Sequence, residues 1–150
     1  MAATQARRSV LNMYPYTFSI SLRIKHPSID LSYIGSLLGL QSNRIWKAGE
    51  PRETPKGTSL EGTNKESYWC GRLTGDREES ETCSLEDRLA DWTNKLSGHK
   101  TEFKRLLDEG GKVEYFVWIF CEKNLGFELS HNLLRDIAEL GITLGIVCDP

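Results

Sequence analysis

The stretch Lys112–Asp149, KVEYFVWIFCEKNLGFELSHNLLRDIAELGITLGIVCD, constrains the fold of this chain more than any other. Val113, Tyr115, Phe116, Val117, Trp118, Ile119 and Phe120 leave no polar face on a strand over Lys112–Cys121. Such a run belongs to an interior strand buried on both sides. Ser130 then supplies an N-cap for a helix that buries Leu133, Leu134, Ile137 and Leu140. Gly141 stops that helix, and Ile142–Cys148 reads as a closing apolar strand. So few side chains here are free for chemistry that the stretch speaks for architecture, not activity.

Upstream, Tyr16, Phe18, Ile20, Leu22 and Ile24 alternate with Thr17, Ser19, Ser21 and Arg23, the period of a half-buried strand. Pro27 ends it. Ser28 or Asp30 can cap a short helix carrying Leu31, Ile34, Leu37 and Leu38, closed by Gly39. Gln41–Glu66 is polar and broken by Pro51, Pro55, Gly49, Gly57 and Gly62, so it is expected to be a long surface loop. Ser67–Leu73 reads as a strand with Tyr68, Cys70 or Trp69 toward the core. After a charged loop, Gly75–Thr82, Ser84 and Asp87 form a variant capping box. Leu85, Leu89, Trp92, Leu96, His99, Phe103 and Leu106 then follow steps of four and three, one stripe of a long helix ended by Gly110-Gly111.

The expected fold is therefore α+β, a four-stranded sheet with helices mainly on one face, in the chain order β-α-β-α-β-α-β. Residues 1–15 read as a flexible tail and residues 16–150 as a single domain. At 150 residues such a domain buries roughly 70% of the surface its unfolded chain exposes, and needs no metal or disulfide to fold. A net charge of −2 argues against a general binder of nucleic acid or membrane surfaces. The longest apolar run, Tyr115–Cys121, is too short for a membrane span, and the N-terminus lacks the apolar segment of a secretory signal. The expected location is the cytoplasm. Cys70, Cys83, Cys121 and Cys148 have irregular spacing and are expected to be free structural thiols, with Cys121 and Cys148 buried in strands.

Several segments together resemble the bacterial domain-of-unknown-function family 4279. They are the alternating first strand, LLGLQSNRIWKAGEPR (Leu37–Arg52), Tyr68-Trp69, the long amphipathic helix, and GFELSHNLLRDIAELGITLGI (Gly126–Ile146). The resemblance covers Tyr16 to Val147. WCGRL departs from the serine-rich pattern usual after that tryptophan, and Cys148 replaces a tyrosine near the end of the last strand. The resemblance implies a compact α+β domain and no established activity, so no catalytic residues carry over from it.

Two charged segments are the candidate binding sites. Asn43–Lys56 holds Arg44, Trp46, Lys47, Arg52 and Lys56 against Glu50 and Glu53, a local +2 in a net-negative chain. An aromatic flanked by arginine and lysine can stack a base and contact phosphate. The simpler reading is that Ile45 and Trp46 pin the loop while the charges stay solvated. Asp76–Asp91 carries Glu78, Glu79 and Glu81 among its acids, a local −5, able to steer a basic partner. Here too the simpler reading is a solvated loop leading into a helix N-terminus, where acids are favoured.

His26, His99 and His131 are scattered without metal-ligand spacing, and His99 falls on the apolar stripe. Cys70 or Cys121 with a histidine, or Asp30 with Glu50 or Asp76 around a metal, would need proximity that no spacing announces. No glycine-rich phosphate loop is present. The expectation is a non-enzymatic protein-binding module of the inhibitor or immunity type, without a cofactor, meeting a protein partner through Arg44, Trp46, Lys47, Arg52, Glu78, Glu79 and Glu81. The alternative is a metal-dependent nuclease or nucleic-acid-binding protein using the Arg44–Arg52 loop. A third reading is a small-ligand sensor with a pocket between the long helix and the Trp46 loop.

Overall fold

In the computed structural model, residues 14–150 are described; of the expected tail over residues 1–15, only Tyr14 and Pro15 fall among them. The elements, in chain order, are β1 (Thr17–His26), α1 (Ile34–Leu38), β2 (Ser42–Trp46), β3 (Pro51–Glu53), β4 (Ser59–Thr63), β5 (Ser67–Arg72) and β6 (Glu78–Glu79). There follow α2 (Leu85–Leu96), a 3-10 turn (Ser97–His99), α3 (Lys100–Asp108), β7 (Lys112–Phe120), α4 (His131–Glu139) and β8 (Ile142–Asp149).

The fold is α+β, but with more strands than expected. Six strands form the main sheet along the path β2-β5-β1-β7-β8, with β6 paired to β1, and β3 and β4 form a separate two-stranded sheet. The simple β-α-β-α-β-α-β order is thereby corrected. Neighbours within the main sheet are antiparallel except β7 and β8, which run parallel on either side of α4. The additional strands lie mostly in Gln41–Glu66, expected to be a loop. Every residue of β3 and β4 is exposed, so no buried face imprints an apolar period on their sequence.

Period-two alternation places Tyr16, Phe18, Ile20, Leu22 and Ile24 in the core, facing the same way as Val113, Tyr115, Val117 and Ile119 of β7. Leu85, Leu89, Leu96, Phe103, Leu106, Leu133 and Ile137 from the helices join them in one cluster. Each fully buried aliphatic or aromatic side chain is worth about 2 kcal/mol by transfer. Trp69 is the core residue of β5, whereas Tyr68 and Cys70 face the other way and are half-buried. Its indole lies so close over Gly71 that a Cβ there would sit 2.4 Å from a ring carbon, so the glycine is required by that packing.

Ser84 and Ser130 cap α2 and α4 as expected, accepting from the backbone N–H groups of Asp87 and Leu133. Other expectations need correction. The long helix breaks at Ser97-Gly98 into α2 and α3, because serine and glycine are poor helix formers in mid-element. His99 consequently sits half-buried in the 3-10 turn, off the core stripe. Leu134 and Leu37 are exposed, at the shoulders of their helices. The N-cap of α1 is Tyr33; Asp30 instead accepts from the Ser32 N–H in a turn before it.

His26, 3% exposed, ends β1 with a polar anchor. Its Nδ1 accepts the backbone N–H groups of Ser28 and Ile29, which leaves Nε2 to carry the hydrogen and donate to Glu109 Oε1 at 2.9 Å. Arg105 donates to both oxygens of Glu109 and to the Tyr33 hydroxyl, which in turn donates to Glu102. Burial and then the Glu102 carboxylate push the Tyr33 hydroxyl up to about 12. The His26 bond and then Arg105 hold Glu109 below the ordinary carboxylate range.

Two outcomes follow. His26→Ala strands two backbone donors and should cost about 2 kcal/mol in urea unfolding. Because the folded-state pKa of Glu109 lies below its unfolded value, its contribution is present above about pH 4.5 and lost as pH falls through the folded value. Thermal melts from pH 6 to pH 3 should therefore fall less steeply for Glu109→Gln than for the parent.

Candidate functional site

The helices that complete the core all lie against one face of the main sheet, the face of Phe18, Tyr115 and Trp69. Alternation sends Ser19, Ser21, Arg23 and Lys25 of β1 to the opposite face, together with Glu114, Phe116, Trp118 and Phe120 of β7. The β1–β5 and β2–β5 registers add Tyr68, Cys70, Arg44 and Trp46. Most of these residues are half-buried, with no helix among the described residues above them. The expectation that β7 is buried on both sides is corrected: its second face is open to solvent between its own side chains.

Aromatic rings and arginines organise this open face. Trp46 stacks on Tyr68 with centroids 4.3 Å apart, and Arg44 lies over the same indole at 4.9 Å. Arg23 lies 3.6 Å over Phe116, and Arg77 lies 4.0 Å over Phe120, which also stacks with Trp118. Burial, then the neighbouring Cys70 thiol, pushes the Tyr68 hydroxyl up to about 12. Lys25, Arg72 and Lys112 are neutralised by Glu66, Asp76 and Glu114. Arg23, Arg44 and Arg77, which stack on rings, have no carboxylate within ion-pair distance among the described residues, although Glu114 is the cross-strand neighbour of Arg23. Arg23 Nε and Trp118 Nε1 are buried donors without a hydrogen-bond acceptor.

The two segments singled out in the sequence lie far apart. Trp46 aligns with Tyr68 and Lys25 at one end of β1, and Glu79 aligns with Thr17 at the other, roughly 26 Å away by strand rise. Arg44 and Trp46 face the open side, and the Trp46 indole donates to the Glu66 carbonyl. The Lys47 carbonyl receives the Asn64 side chain at the base of the β3–β4 arm. Arg52 lies on that arm and donates to the Glu61 carbonyl. A cavity of about 510 Å³ lies between β2 and the arm, lined by Arg44, Trp46, Pro51 and Pro55. At the other end, Glu79 and Glu81 line a cavity of about 590 Å³ with Arg77, Phe120 and Lys123, whereas Glu78 turns toward Arg88 of α2. The helix–Trp46 pocket does not form, because Trp46 and the helices occupy opposite faces.

Among the described residues, no three His, Cys, Asp or Glu side chains are grouped to hold a metal ion. Asp30 is engaged with Ser32 and Asp76 with Arg72. Cys70 faces the open side and His26 the helix side. The four cysteines are free; Cys148 is exposed and Cys121 only half-buried, against expectation, because both lie at the outer end of the sheet. No helix among the described residues is long and apolar enough to cross a membrane.

Sequence reasoning missed Arg23, Tyr68, Arg77 and the β7 aromatics as a surface. The available signal was the alternation itself: Arg23 falls on the polar face of β1, and the face paired with it on β7 is the aromatic one. Trp46→Ala should cost about 1–2 kcal/mol in urea unfolding, from the lost ring stack and indole bond. Arg44→Ala should cost about 0.5 kcal/mol.

A family model described as "Domain of unknown function (DUF4279)" matches residues 15–149, so the chain belongs to that family. No curated protein and no solved structure matches it.

Proposed function

We propose that this member of the family is a non-enzymatic protein-binding module of the inhibitor or immunity type, and that it engages an acidic protein partner through the open face of its sheet. The supporting observation is the set of three ring-stacked arginines, Arg23, Arg44 and Arg77, without carboxylates in ion-pair distance on a face where Lys25, Arg72 and Lys112 are neutralised. Stacking fixes the plane of a guanidinium; Arg44 already donates from Nη2 to the Glu53 carbonyl at 3.4 Å, and the N–H groups that remain on such a fork can take a carboxylate. Tryptophan, tyrosine and arginine are also the residues that dominate binding energy at protein interfaces.

The same residues raise the rival reading, single-stranded nucleic acid stacked on the sheet. Ring occupancy favours protein: Trp46 already carries Tyr68 and Arg44, Phe116 carries Arg23, and Phe120 carries Arg77 and Trp118. The proposed setting is the bacterial cytoplasm, where free thiols stay reduced.

Affinity capture from the native host tests the proposal, comparing the parent with an Arg23→Glu/Arg44→Glu double variant and with Glu78→Gln on the helix side. The parent and Glu78→Gln should retain one stoichiometric acidic protein that the double variant loses, with binding weakened by salt. Equal capture by all three sinks the assignment of the face. Tight binding of a single-stranded oligonucleotide, with quenched tryptophan emission, would favour the rival.

A further inference from the structure

The two edges of the main sheet are treated differently. The β2 edge is short, shifts register between Ser42 and Arg44, and is flanked by the β3–β4 arm. Bulges, short strands and charges are how proteins keep an edge from pairing. The β8 edge has none of these. It keeps unbroken register with β7 from Ile142 to Asp149, contains no proline or lysine, and has one charge, Asp149 at its end. Ile146 and Val147 are 38% and 37% exposed on it. No strand among the described residues pairs with its outer side.

We propose that this edge is the site at which a second copy of the chain adds its own β8 antiparallel, joining two sheets into one. The main-chain geometry permits it. Asp149 O accepts from Cys121 N, so the peptide groups of Asp149 point toward β7. By the alternation of a strand, those of Ile142, Leu144, Ile146 and Cys148 point outward.

A two-fold axis through Gly145, perpendicular to the sheet, pairs these outward groups in about eight hydrogen bonds. It sets Leu144 opposite Ile146 and Ile142 opposite Cys148 on the helix side, and Thr143 opposite Val147 on the open side. Every cross-strand pair is then apolar or β-branched, and Asp149 falls opposite Gly141, so no like charges face each other within the strand. Because the axis is perpendicular to the sheet, the open faces of both copies lie on the same side and become one continuous surface.

One charge contact marks this register. A Cβ at Gly145 would lie 3.1 Å from Glu114 Oε2, so the Glu114 carboxylate stands over the position of the axis, with Lys112 3.4 Å from it. Pairing brings the two Glu114 carboxylates toward each other. Removing their charge should tighten the dimer.

Sedimentation velocity on the full chain, from about 1 to about 200 µM, tests the proposal. The parent should show reversible, concentration-dependent dimerisation. Ile146→Pro removes an outward N–H without touching the β7 ladder, and Val147→Lys places a charge on the edge. Both should remain monomeric with the parent's circular dichroism, and Glu114→Gln should dimerise several-fold more tightly. A parent that is monomeric throughout, or folded Ile146→Pro and Val147→Lys proteins that dimerise like the parent, would overturn the proposal; an unchanged Glu114→Gln dimer would overturn the register. The monomeric variants keep Arg23, Arg44 and Arg77, so their capture of an acidic partner is read separately.

Discussion

Pairing of β1 on both edges is the constraint from which the rest of the structure follows. On one side β1 runs against β7 from Thr17 to Lys25. On the other it meets β5 over Ser21–His26 and β6 at Thr17–Phe18. The gap between β5 and β6 is bridged at Ile20, whose N–H donates to the Thr74 hydroxyl and whose carbonyl accepts from Leu73. Tyr16 and Ser80 close the far end, with the Tyr16 N–H on Ser80 Oγ and the Ser80 N–H on the Tyr16 carbonyl. A strand satisfied in this way sits at the centre of the sheet, and its apolar side chains become the floor on which the helices pack.

With the helices on one face, the other must reconcile apolar rings with water. The chain does so with arginine. Guanidinium groups over Phe116, Trp46 and Phe120 shield the rings, a contact that favours arginine over the more strongly hydrated lysine. The shielding arginines lie within ion-pair distance of no carboxylate among the described residues, so the rings rather than acids hold them in place.

Much of the core was legible from residue order. Tyr16 to Ile24 alternate in the sequence and are buried in alternation; Ser84 and Ser130 cap the helices they precede; Gly39 closes α1 in the left-handed region at φ 68°. Arg44 and Trp46 were legible as a local pair, an arginine two positions from an aromatic. The β3–β4 arm was not, because strands exposed on both sides carry no apolar period. The helix break at Ser97-Gly98 was masked by a stripe that resumes in phase at Phe103 and Leu106, both buried. The β7 aromatics misled for a related reason: an uninterrupted apolar run does not reveal whether its second face meets a helix or solvent.

The sequence by itself determined the one-sided apolar alternation of β1, the helix caps and the membership of a family without an assigned activity, because each resides in neighbouring residues and short periods. Only the tertiary structure decided which face the helices cover and that Arg23, Arg44 and Arg77 share the other. It also placed Glu79 at the opposite end of β1 from Trp46 and left β8 on an edge. These depend on strand pairing between residues up to about a hundred positions apart, and strand order is set by the packing of the whole sheet, which no local pattern encodes.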